Sequence, residues 1–114
     1  MKRFIGCTTV VLLIFFLVSG VSAHPPSELE LTYNQTSGNL TAAFTHLVTD
    51  PTTHYLKNVK ITLDGKEMIN QDYSSQPSPD FFNYTYSLNA IPGTVIDVSG
   101  QCSIGGSIQR SLTV

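Results

Sequence analysis

The sequence predicts an all-β domain built as two packed sheets, an immunoglobulin-like Greek-key sandwich of about seven strands. Three observations lead there. Short segments repeatedly alternate apolar with polar side chains, the period of a half-buried strand. Turn chemistry rich in Gly, Pro, Asn and Asp separates them at intervals of about 8–12 residues. No window of useful length carries a helical period. The Trp and paired cysteines of antibody domains are missing, so the expectation is the architecture alone.

The first 23 residues are excluded from that domain. Lys2 and Arg3 are followed by the unbroken apolar run Val10–Val18 and by Val21-Ser22-Ala23, the pattern of a signal peptide cut after Ala23. The run is short for a bilayer span, which takes about 20 residues. The expected layout is therefore residues 1–23 as leader and 24–114 as one domain, exported and either secreted or held on the periplasmic side of the cell envelope. Removing 23 of the 114 residues leaves 91. Lys2 and Arg3 go with the leader, so four basic residues face eight acidic ones, a net charge of −4 with His neutral. A weakly acidic chain with scattered charges excludes nucleic acid and anionic membrane surfaces as natural partners. Three Asn-x-Thr triplets, at Asn34, Asn39 and Asn83, are glycan acceptors compatible with export.

Taken in order, His24-Pro25-Pro26 starts the domain extended, because two prolines exclude helix. Glu28–Tyr33 alternates, with Leu29, Leu31 and Tyr33 on one side. Asn34–Asn39 is a turn. The second strand is expected over Leu40–Val48, with Leu40, Ala42, Phe44, His46 and Val48 facing inward. Thr49–Thr53 is a loop broken by Asp50-Pro51. His54 and Tyr55 open a third strand to Leu63, with Val59, Ile61 and Leu63 inward. Asp64-Gly65 is a strong hairpin signal, and Lys66–Tyr73 returns as a short polar edge strand. Ser74–Asp80 is a proline-bearing loop. Phe82, Tyr84, Tyr86 and Leu88 give a fifth strand with an aromatic stripe; Thr94–Ser103 gives a sixth, with Ile96, Val98 and Cys102 in phase. Gly105-Gly106 turns the chain into a last strand, Ser107–Val114.

The residues with chemistry are few. His46 and His54 flank one loop, and Cys102 ends a different strand. Cys7 leaves with the leader, so Cys102 is alone. A lone exported thiol is buried and inert, paired with another chain, or bound to a metal as thiolate. Imidazole and thiolate together suit iron, copper or zinc. The alternative for each is bland: His46 as a packed core histidine, His54 as a solvent-facing side chain, Cys102 as a small hydrophobe. After cleavage His24 carries both an imidazole and a free α-amine, a pair that can bind copper with a second histidine. Asp50 reads first as a turn residue. No phosphate loop and no Ser-His-acid arrangement is present, and no residue is assigned a catalytic role.

His46 through His54-Tyr55-Leu56, the Asp64-Gly65 hairpin and the later Gly100-Gln-Cys102-Ser-Ile-Gly105-Gly106 together resemble the iron domain of desulfoferrodoxin and neelaredoxin, the superoxide reductases. That resemblance implies a small immunoglobulin-like sandwich holding one iron through four equatorial histidines and an axial cysteine. It implies His46 and His54 as the middle two histidines, Cys102 as the axial ligand and His24 as the first histidine. The spacing from His46 to His54 is two residues longer than in the family, and Leu47 replaces a proline. Glycine stands at position 105, where the family has its fourth histidine. The implied activity is one-electron reduction of a small oxidant such as superoxide, served by an electron donor. The other expectation, of a different class, is a non-enzymatic extracellular module that binds an envelope protein and has no metal.

Overall fold

A computed structural model describes residues 24–114 of the chain. The expected leader at 1–23 lies outside the described residues. Seven strands form, β1 (Glu28–Asn34), β2 (Asn39–Thr45), β3 (Leu56–Leu63), β4 (Lys66–Asp72), β5 (Phe81–Ser87), β6 (Val95–Cys102) and β7 (Ser107–Thr113). They make two sheets, one ordered β1-β2-β5 and the other β4-β3-β6-β7, with every pairing antiparallel. The all-β two-sheet expectation is met, and β4 is an edge strand whose residues are mostly exposed, as its polarity implies.

Alternation builds the core. Leu29, Leu40, Ala42, Phe44 and Phe82 face inward from the first sheet, and Val59, Ile61, Ile96 and Val98 from the second. Phe44 packs where the sheets meet; its ring stacks on Phe82 at a centroid distance of 5.7 Å. Gly100 makes room for it, since a Cβ there would sit 2.7 Å from Phe44 Cε1 and 3.0 Å from Leu56 Cδ1. Tyr33 closes the far end, its hydroxyl donating to the Leu88 carbonyl at 2.9 Å and accepting from the Ala90 amide at 3.1 Å.

Two boundaries differ from the sequence expectation by more than one residue, and both concern the loop between β2 and β3. β2 ends at Thr45 and not at Val48. The chain leaves β5 there but stays extended, with the His46 and Val48 amides donating to the carbonyls of Asp80 and Pro79. β3 begins at Leu56 and not at His54, because Asp50 gathers the preceding residues into a turn. Its carboxylate accepts from the Thr52 amide and hydroxyl, and its carbonyl accepts from the amides of Thr53 and His54. These bonds hold the Asp50 carboxyl below the usual carboxylate range, the Thr52 side chain being the larger influence.

A bulge decides which way β3 presents its first residues. Leu56 pairs with Cys102 but Asn58 pairs with Gln101, so Lys57 is an extra residue against β6. The strand period is two, so one extra residue exchanges the faces. Leu56 is therefore fully buried alongside Val59, although their spacing alone would place them on opposite sides.

Candidate metal centre

The bulge matters because His54 shares the parity of Leu56. Running the Val59–Ile61 alternation backward without it would aim His54 at solvent. With it, His54 lies on the core side at the rim and is half-buried. Tyr55 holds this stretch against β6: its carbonyl accepts from the Ser103 amide at 2.8 Å, and its amide donates to Ser103 Oγ at 3.1 Å.

His46 continues the inward face of β2 one step past the strand, beyond Phe44, and is completely buried. His24 reaches the same place from the N-terminal segment. That segment is anchored: Pro26 is buried, the Ser27 amide donates to the Thr45 carbonyl, and Pro25 presses on Gly106. Gly106 has a φ of +83°, and a Cβ at that position would meet Pro25 Cδ at 2.9 Å. The Gly105-Gly106 turn is thus a seat for Pro25 as well as a bend between β6 and β7.

The three imidazoles converge. Each offers a ring nitrogen within 4.8 Å of the others. Ring centroids lie 5.4 Å apart for His24–His46 and 5.0 Å apart for His24–His54 and His46–His54, at steep mutual angles. Nitrogens bound opposite each other on one ion at about 2.1 Å would be about 4.2 Å apart, so the observed spread is close to a coordination shell. This group can hold a metal ion.

Cys102 adjoins the group through His54. Its Sγ lies 3.2 Å from His54 Nε2, is itself buried, and accepts from the Ile104 amide at 3.5 Å. With bonds of about 2.1 Å to nitrogen and 2.3 Å to sulfur, adjacent ligands at right angles would be about 3.1 Å apart. All four residues singled out from the sequence therefore occur at one end of the sandwich, the three histidines as a mutual set and the cysteine beside His54.

The surroundings of His54 favour its neutral form. Burial lowers the His54 pKa from 6.5, and the neighbouring His46 and His24 charges lower it further. A neutral imidazole is the form that ligates. Asp50, the remaining sequence candidate, has its carboxylate engaged within its own turn.

Gln76 is the residue that sequence reasoning missed. It sits in the Ser74–Asp80 loop, is 95% removed from solvent, and uses every polar position of its side chain. Its Oε1 accepts from the Leu56 amide at 3.0 Å and lies 2.8 Å from His46 Nδ1. Its Nε2 donates to the carbonyls of His46 at 3.0 Å and Ser78 at 2.9 Å. Its own amide donates to the Pro51 carbonyl at 3.1 Å. Nothing in the local sequence marks it, since a glutamine before a proline reads as loop.

Comparison with family models, with curated proteins and with solved structures gives no match.

Proposed function

We propose that this chain is an exported metal-binding domain whose His24, His46, His54 and Cys102 hold one transition-metal ion at the rim of an immunoglobulin-like Greek-key sandwich. The observation that carries the proposal is the convergence of three imidazoles, one fully buried, from three separate segments. The strand order β1-β2-β5 over β4-β3-β6-β7, with the β2–β3, β4–β5 and β5–β6 connections crossing between sheets, supports the Greek-key assignment. The donor set fits the ion: imidazole nitrogens and a soft sulfur select iron, copper or zinc over magnesium or calcium.

The function proposed is that of a superoxide-reductase-like oxidoreductase. Bound iron, or copper, supplies one-electron exchange with a small oxidant such as superoxide, replenished by an external donor. The chain's residues do the rest. Bound to the ion, Cys102 would contribute the negative charge of a thiolate, and the Ile104 amide directed at its sulfur would moderate that charge. His46 is shielded from water, while His24 and His54 are half-exposed, so a small oxidant would reach the ion past these two.

A second reading is favoured by Gly105, which supplies no fourth imidazole, and by the open edge of β4. It is a non-catalytic extracellular module that pairs with an envelope protein. One experiment separates them. Elemental analysis of the purified protein is expected to give close to one iron, copper or zinc per chain, reduced in Cys102→Ser and His54→Ala. Equal, substoichiometric metal in all three would leave the binding module.

A further inference from the structure

Gln76 and the imidazole of His46 share a buried hydrogen-bond network in which backbone groups dictate every direction. The Leu56 amide is a donor, so the Gln76 atom 3.0 Å from it must be the acceptor oxygen. The carbonyls of His46 and Ser78 are acceptors, so the atom facing both must be the amide nitrogen. Reversing the side-chain amide would set donor against donor and acceptor against two acceptors, at roughly 1–3 kcal/mol for each buried group left unpaired. The orientation of Gln76 is therefore fixed without reference to the histidine.

His46 then has no choice. Its Nδ1 meets an oxygen at 2.8 Å and must carry the proton. In the neutral ring Nε2 is left with the lone pair. That nitrogen lies 3.2 Å from the His24 carbonyl oxygen, which is also an acceptor. Two acceptors face each other in a partly buried place, an arrangement relieved by a cation between or beside them.

We propose that Gln76 is a positioning residue for the metal centre: it holds the His46 ring in the Nδ1–H tautomer and thereby presents Nε2 as the ligand atom. This rests on the metal reading given above. Gln76 also ties the two histidine-bearing segments together. Its side chain bonds the His46 ring and carbonyl on one side of the loop and the Leu56 amide on the other, and its backbone amide donates to the Pro51 carbonyl, so one residue sets the separation of His46 from His54.

The test uses the full chain, ¹⁵N-labelled and metal-free, at about pH 8.5 where imidazoles are neutral. Two-bond ¹H–¹⁵N spectra read the tautomer of each histidine in wild type, Gln76→Glu and Gln76→Met. Wild type is expected to show His46 protonated at Nδ1. Gln76→Glu keeps an acceptor oxygen and is expected to keep that tautomer. Gln76→Met removes it and is expected to move the proton to Nε2. Zinc competition titrations on the same samples are expected to weaken about 10–100-fold in Gln76→Met and less in Gln76→Glu. An Nε2–H tautomer in wild type overturns the proposal, whether or not either variant folds. So does an unchanged tautomer in Gln76→Met, or an equal loss of zinc affinity in both variants that merely follows their melting temperatures. Failure of wild type to bind zinc, iron or copper would remove the metal reading while the tautomer measurement still judged Gln76.

Discussion

Gly106 joins the fold to the site, and Gly65 supplies its control. Both have a φ of +83°, a conformation that costs an L-residue about 1–2 kcal/mol. Around Gly65 a new Cβ meets nothing within 4 Å, whereas at Gly106 it meets Pro25 Cδ at 2.9 Å and Pro25 Cβ and Cγ at 3.3 Å. Gly65→Ala is therefore expected to lose only the backbone part, about 4–8 °C in Tm for each kcal/mol in a domain of this size. Gly106→Ala carries the same backbone cost and must also push Pro25 outward by about 0.6 Å to restore ordinary contact. His24 is the next residue, and metal–ligand distances tolerate only about 0.2 Å. Zinc affinity is expected to fall at least tenfold in Gly106→Ala and to stay at the wild-type value in Gly65→Ala, measured by chelator competition beside thermal melts. Equal affinity in the two variants would refute the reasoning that Pro25 seats His24.

Other outcomes follow from the same geometry. Gly100→Ala forces a methyl against Phe44 and Leu56 inside a filled core and is expected to cost about 1–3 kcal/mol by denaturant unfolding. The metal-free protein is expected to lose stability as pH falls below 6.5. Burial holds His54 below that value, so the unfolded chain takes up the proton first, and the stability present above 6.5 declines toward the lower folded pKa. His54→Gln should flatten that decline in urea melts taken across the range. At alkaline pH, burial raises Tyr84 to about 12, and burial with the Tyr73 hydroxyl bond raises Tyr86 further. Folded protein keeps those protons after unfolded chain has lost them, so stability present below pH 10 is lost as pH rises. Absorbance titration should show both ionising only on unfolding.

Much of the fold was legible because its strands are half-buried. The alternations Leu40-Ala42-Phe44 and Ile96-Val98 name their own inward faces, and Asp64-Gly65 marks a hairpin that forms where expected. The site was legible as residue types: His24, His46, His54 and Cys102 are scarce in this chain and do come to one end. The facing of His54 was not legible, because the bulge at Lys57 arises from pairing with β6 and leaves no mark in local alternation. Nor was Gln76, whose partners are mainly backbone groups of Leu56, His46 and Ser78. Main-chain donors and acceptors are the same in every residue, so a side chain chosen to satisfy them carries no sequence signature. The anchoring of His24 depended on Pro25 meeting Gly106, residues at opposite ends of the domain.

X-ray absorption at the metal edge tests the central claim most directly. The account predicts a nitrogen shell at about 2.1 Å with imidazole scattering, plus one sulfur at about 2.3 Å that disappears in Cys102→Ser. A shell of oxygen alone, without sulfur and without imidazole scattering, would contradict it.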